Sequence, residues 1–322
     1  MDADIAANAL KVGDLTITPI DDGWFTIPEP PQIKAIDPDL EPHRAYIPGD
    51  GLFYTQLGGF LVRTGGRVVL LDAGLGPPCG HCGDYCAADA DPAILGAFDD
   101  MWRRFGRDED FVAMRRRGLK DTVIHHGRLE ASLRAAGVAP EEVTDVVLSH
   151  LHCDHMGWVT RDDKPFFQHA DVWVHEADAA HFLGDNPPDE TGTKVMFGVE
   201  PAGVRMAGAL GQIRTFDRDI TIAPGIDMRH APGHTPGSAI AIVSSQGQRA
   251  MLLGDVIHCP LEMTNVEFSL MADLDKDLAH RTKLNLIREI EDGAVHVASP
   301  HFPGMKFGRL MQAQGKRYFT YG

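Results

Sequence analysis

The run Ser149-His150-Leu151-His152-Cys153-Asp154-His155 constrains this chain more than any other stretch. It puts three imidazoles and a carboxylate within six residues, directly after the apolar run 143–148 (VTDVVL), which reads as a strand. His150 and His152 are two residues apart, so they point the same way while the backbone is extended. Asp154 and His155 follow in the turn, where the chain can swing them to a neighbouring point. Ligand-type side chains gathered at a strand end are costly to desolvate unless a cation holds them. Imidazole suits zinc, iron and similar ions, and a carboxylate adds a terminal or bridging ligand. The display fits two adjacent metal ions, and the plain alternative is a polar loop after a strand.

Three further stretches have the same form. Residues 230–237 read His-Ala-Pro-Gly-His-Thr-Pro-Gly and set His234 in a tight loop. Residues 250–255 form an apolar strand that delivers Asp255, and 295–301 deliver His301. Each is weak alone, because a single His or Asp in a loop is usually solvated. As an ordered set of strand-end residues they reinforce the first run.

The rest of the chain alternates strands and helices. Residues 53–63 and 67–72 predict a hairpin around Gly65-Gly66. Residues 28–50 carry six prolines and read as loop. An amphipathic helix is expected over 127–137, a strand over 171–175 and a helix over 176–183. Strands follow near 219–223, 226–231, 238–243 and 249–254. A long helix over 273–292 has Leu274, Leu278, Leu284, Ile287 and Ile290 as its expected apolar face, and a final strand spans 295–298. Two groups of strands, each followed by helices, indicate a layered α/β domain. Residues 77–122 look like an inserted cap. It opens with a Gly/Cys-rich loop (Cys79, Cys82, Cys86) and continues into a stretch with Phe98, Met101, Trp102 and Phe105 at helical spacing.

Charge narrows the function classes. Lys and Arg total 30 against 46 Asp and Glu, a net charge of −16. That argues against a nucleic-acid partner, whose binding needs clustered cations, and against an anionic membrane surface. No apolar run approaches the ~20 residues of a bilayer span. Five cysteines, an odd number, without a secretory leader point to a reducing, cytoplasmic location. A C-x2-C-x3-C run lacks the fourth ligand of a closed zinc site, so Cys79, Cys82 and Cys86 read as free thiols. Cys153 reads as non-ligating. Of the sixteen histidines, His125, His126, His169, His175, His181 and His230 default to structural or solvated roles.

The HxHxDH run, the Gly-His-Thr-Pro-Gly loop, the strand ending in Gly-Asp and the late histidine together resemble the metallo-β-lactamase superfamily. Leu-Leu-Asp-Ala-Gly at 70–74 matches the family's strand with a structurally placed aspartate, Asp72. The resemblance covers roughly residues 53–305. It implies a four-layered αββα sandwich as a single domain over 1–322, with a leading segment 1–50 and the cap 77–122. It also implies that His150, His152 and His234 hold one metal, that Asp154, His155 and His301 hold a second, and that Asp255 bridges them. The expected cofactors are two divalent ions, zinc first, with manganese, cobalt or iron as the others. Two ions ~3.5–4 Å apart can share a hydroxide that attacks a carbonyl or phosphoryl centre.

Within the superfamily, an aspartate at 255 disfavours a true β-lactamase. The layout is most similar to the branch of N-acyl homoserine lactonases and methyl-parathion-type hydrolases. The implied activity is opening of a lactone or small ester, with Asp154 and Asp255 at the reacting centre. The implied partner is a small-molecule substrate, and relatives of that branch are often homodimers. The lactonases often have a tyrosine three residues after the bridging aspartate. Here the residue is His258, either a general acid toward a leaving alkoxide or a supporting loop residue. Phosphotriester hydrolysis is one alternative activity. A mononuclear iron persulfide dioxygenase is another, and a catalytically silent binding protein a third. Phe53, Tyr54, Phe98, Trp102 and Phe105 are candidate pocket walls.

Overall fold

Strand pairing in the computed structural model follows chain order closely. The structure describes residues 5–30, 32–36, 39–77, 85–86, 99, 103, 109, 112–113, 123–162, 164–184, 211–270 and 273–322. The first sheet collects β1 (Leu10–Val12), β2 (Leu15–Pro28), β3 (Leu52–Thr64), β4 (Arg67–Leu71), β5 (Tyr85–Cys86), β6 (Val123–His125) and β7 (Asp145–Val147). A separate two-stranded hairpin follows, β8 (Thr160–Arg161) with β9 (Lys164–Pro165). The chain then returns to the first sheet with β10 (Asp171–His175) and β11 (Ile213–Phe216). The second sheet is β12 (Ile220–Ala223), β13 (Ile226–His230), β14 (Ala239–Ser245), β15 (Gln248–Leu252), β16 (His296–Ala298), β17 (Gly308–Ala313) and β18 (Lys316–Tyr321), side by side in that order.

Alternation along the strands builds the layers. Phe60, Val62, Val69, Leu71 and Val147 face inward from the first sheet and meet Ile226, Met228, Ala241, Val243 and Leu252 from the second. Their neighbours Leu61, Leu70 and Val146 face outward. They pack under the helices Leu129–Ala135 and Glu176–Leu183 through Leu129, Leu133 and Phe182. Ile240, Met251 and Val297 face outward from the second sheet against Leu286, Ile287 and Ile290 of the helix Lys276–Ile290. Helix, sheet, sheet, helix is the αββα sandwich expected from the sequence. The hairpin expectation also holds: Gly65 and Gly66 both have positive φ (56° and 79°), as a two-residue turn of type I′ requires.

Several elements differ from the sequence reading. The leading segment contributes β2, fourteen residues long and paired with β3 from Ile17 to Pro28. Its opening residues Leu15-Thr16-Ile17-Thr18 alternate as a strand does, but Pro19 and the polar Asp21-Asp22-Gly23 interrupt the pattern. Asp21, Asp22 and Gly23 make a bulge where the register shifts. The strand 295–298 is not the last, because β17 and β18 follow it, joined through Gln314 and Gly315 at positive φ. On the long helix, Leu274 precedes the N-cap Asp275 and is 41% exposed, whereas Lys283 is buried beside Leu286 and Ile287. Phe98, Met101, Trp102, Phe105 and the Cys79 and Cys82 side chains lie outside the described residues, and of Cys86 only the backbone in β5 is described. Phe53 is core rather than wall, 1% exposed and edge-on to Tyr46. Among the described residues, no helix is long and apolar enough to cross a membrane.

The bulge in β2 has a structural task. Asp22 is fully buried, and its Oδ1 accepts from Gly127 N (3.2 Å), Leu129 N (3.0 Å) and Trp158 Nε1 (2.8 Å). Its Oδ2 accepts from Leu75 N (2.8 Å) and Gly76 N (3.2 Å). Burial pushes this carboxyl up to about 6, against the opposing pull of Trp158, Leu129, Leu75 and Gly76. Asp22→Asn turns an NH2 toward backbone donors and strands them. A loss of about 3 kcal/mol in unfolding free energy is expected, measured by urea denaturation; a change under about 1 kcal/mol would contradict this account.

Candidate metal centre

The seven strand-end residues converge on one edge of the sandwich. His150 and His152 leave the end of β7, and the helical turn Cys153–Met156 carries Asp154 and His155. In the second sheet β13 and β15 both run antiparallel to β14, and β16 runs parallel to β15. Their ends therefore lie on the same edge and deliver His234, Asp255 and His301. The edge is stitched across the sheets by Ala239 N donating to Ser149 O (2.9 Å).

Two groups that could each hold a metal ion result, one of His150, His152, His234 and Asp255, the other of Asp154, His155 and His301. His152 Nδ1 stands 2.9 Å from both His150 Nε2 and His234 Nε2. A tetrahedron with ~2.05 Å bonds has edges of ~3.3 Å, so this spacing is close to that of a ligand set. Asp255 divides its oxygens between the groups. Its Oδ2 faces His234 Nε2 (3.5 Å) and His150 Nε2 (3.7 Å), and its Oδ1 faces His155 Nε2 (3.1 Å) and His301 Nε2 (3.2 Å). Asp154 Oδ2 lies 3.5 Å from His301 Nε2. Cys153 is buried, with its thiol 4.0 Å from Asp154 Oδ1, and is not in either group.

Outer partners orient the rings. His155 Nδ1 donates to Asp72 Oδ2 (3.1 Å), His234 Nδ1 to Asp273 Oδ1 (3.1 Å) and His301 Nδ1 to Gln56 O (2.8 Å). Each ring thus turns Nε2 toward the centre, as second-layer hydrogen bonds do for metal-ligating histidines. Asp72 also accepts from Ser149 N (2.7 Å), so the aspartate of Leu-Leu-Asp-Ala-Gly positions the histidine run.

The residues fit a cation. His155 Nε2 and Asp255 Oδ1 are buried without a hydrogen-bond partner, a condition that native interiors rarely tolerate. Burial and the neighbouring imidazoles hold His150 and His152 well below the usual histidine range, so both are neutral donors at pH 7. Burial opposes ionisation of Asp255, but His155, His301, His258 and His150 outweigh it and hold the carboxyl well below its usual range.

Sequence reasoning missed Asp178. It is 1% exposed and ties the two ligand loops together. Its Oδ2 accepts from Leu151 N and Thr235 Oγ1 (3.0 Å each), and its Oδ1 from Gly237 N (2.6 Å). The available signal was its spacing: Asp178 lies four residues before Phe182 on the buried stripe of its helix. Gly233 explains the close seating of the His234 loop. Its φ is +136°, and a Cβ there would stand 2.3 Å from Ala279 Cα on the long helix.

An αββα sandwich with a His/Asp cluster at this edge defines a class, and comparison with known proteins agrees. The metallo-beta-lactamase superfamily model matches residues 106–294, more than half of the chain. The chain belongs to that superfamily. Its fold resembles the dizinc quorum-quenching lactonase AidC (TM-score 0.67, 19% identity, 97% of this chain and 96% of that one). It also resembles the hydrolase AbOPH of the beta lactamase superfamily (0.71, 23%, 97% and 95%). A B. thuringiensis AiiA variant with N-decanoyl-L-homoserine bound is a third neighbour (0.56, 16%, 91% and 94%).

Proposed function

We propose that the chain is a metal-dependent hydrolase of the two-ion kind that opens a lactone or small ester. One observation carries the reading: Asp255 sends one oxygen to each of two histidine groups, with Oδ1 buried and unpartnered. His150, His152 and His234 would hold one ion, and Asp154, His155 and His301 the other, with Asp255 between them. Divalent ions held there supply a lowered water pKa and a polarised substrate oxygen. The chain's own residues supply the rest. Asp72, Asp273 and Gln56 O keep the Nδ1 protons of His155, His234 and His301 engaged, so Nε2 is the ligating atom. Burial of His155 and His301 (0% and 3% exposed) prevents the rings from turning to water.

Likeness to AidC over almost the whole of both chains supports a lactone as the substrate class. The divided carboxylate supports two ions, which favours hydrolysis over the mononuclear iron dioxygenase. A kcat/KM panel of acyl homoserine lactones, aryl esters and phosphotriesters on metal-loaded protein tests the reading. Lactones are expected to lead, with near two equivalents of zinc, manganese or cobalt per chain. One equivalent of iron with oxygen uptake, or no turnover of any of the three, overturns it. Chelator treatment is expected to lower Tm by ~5 °C or more, since metal at 100 times Kd contributes ~2.7 kcal/mol. An unchanged melt after chelation would count against a bound metal.

A further inference from the structure

Beside the metal group lies a cavity of about 10 Å³, room for roughly one water, lined in part by His234, His258, Glu262, Asp273 and Lys283. Glu262 and Lys283 are not ligands, yet they are only 1% and 6% exposed. Charged side chains are rarely buried this deeply without partners. Glu262 Oε2 accepts from the backbone N of His258 (2.9 Å), and Oε1 accepts from Leu270 N (2.6 Å). The same Oε1 lies 3.4 Å from His258 Nδ1. The opposite edge of that ring, Nε2, lies 3.4 Å from Asp255 Oδ2, the oxygen that also faces His150 and His234. Lys283 Nζ donates to Phe268 O (2.7 Å) inside the segment that Glu262 ties down.

Resting on the two-ion reading, we propose that Glu262 is a positioning residue for the metal group and acts through His258. It accepts a hydrogen bond from the His258 backbone N and sets Oε1 at ion-pair distance from Nδ1, and so keeps the far edge of the ring beside Asp255 Oδ2. That contact holds the carboxylate turned with one oxygen toward each ligand group. Burial opposes ionisation of Glu262, but His258 and, after it, Lys283 hold its carboxyl below the usual range. Asp273 does the corresponding work for His234 directly, through Nδ1. This geometry favours a supporting role for His258 over proton delivery to a leaving group, because both ring nitrogens are turned to carboxylates.

A plain structural role is the rival, since Glu262 also staples residues 258–270. A double-mutant cycle separates the two. Zinc and cobalt(II) dissociation constants, the cobalt(II) absorption spectrum and the melt of the metal-free protein are measured for wild type, Glu262→Ala, His258→Ala and the double variant. Glu262→Ala is expected to weaken metal binding by about 10–100-fold, the usual effect of losing an outer partner, and to shift the cobalt spectrum. In the His258→Ala background the same change is expected to add less than about threefold. A lower metal-free melt with wild-type affinity and spectrum would overturn the proposal, as would an equal loss in both backgrounds. If Glu262→Ala fails to fold, Lys283→Met serves in the same cycle, with the same weakening expected. Failure of the wild-type chain to bind metal would instead overturn the two-ion reading itself.

Discussion

Asp255→Ala is expected to drop bound metal from two equivalents per chain to one or fewer and to lower kcat/KM by roughly 10³-fold or more. Loss of an outer partner of a metal ligand costs about 10–100-fold on its own, and Asp255 is an inner residue that faces both groups. Its removal leaves His155 Nε2 and His301 Nε2 without the carboxylate oxygen at 3.1 and 3.2 Å, and His150 and His234 without the one at 3.7 and 3.5 Å. Metal analysis with activity on the best substrate checks the prediction. A variant that retains two ions and full turnover would show that Asp255 is not shared.

Asp178→Ala is expected to have the largest effect among residues that touch no ligand atom. Two backbone N–H groups and the Thr235 hydroxyl lose their acceptor in a fully buried place. At ~1–3 kcal/mol for each stranded buried group, a loss of about 3 kcal/mol is a conservative expectation. The second effect is specific: Leu151 lies between His150 and His152, and Thr235 follows His234, so the same carboxylate sets the spacing of two ligand loops. Metal affinity should fall ~10-fold or more alongside the melt. Asp178→Asn keeps one acceptor and should lose less of both. A variant that unfolds earlier yet binds both ions with wild-type affinity would mean that the loops hold their spacing without Asp178.

The sequence was most legible where chemistry crowds into a few residues. The cluster that could hold metal was legible because its members follow closely on apolar strands, and a strand end is a place that local pattern marks. The helix Glu176–Leu183 and the turn at Gly65-Gly66 were legible for the same local reason. What escaped were single carboxylates whose partners are remote in sequence. Asp22 meets Trp158 across 136 residues, and Asp178 meets Gly237 across 59. No local pattern encodes such a pairing. Glu262 is near His258 in sequence, but its burial comes from the long helix that brings in Lys283. In β2 the alternation of Leu15-Thr16-Ile17-Thr18 is cut short by Pro19 and the bulge at Asp21-Asp22-Gly23, so no continuous pattern marks its full length. The hairpin of β17 and β18 carries a readable sign in Gln314-Gly315 between alternating runs.

The first sheet is drawn entirely from residues 10–216 and the second entirely from 220–321. The division that separates the layers in space also separates them in time of synthesis. A growing chain can finish its first sheet, with His150, His152, Asp154 and His155 in place, before His234, Asp255 or His301 has left the ribosome. Neither ligand group closes from that half alone, since the first waits for His234 and Asp255 and the second for His301. On the two-ion reading, metal capture would therefore wait until both sheets are made, and a product cut short before His301 would carry an open half-site.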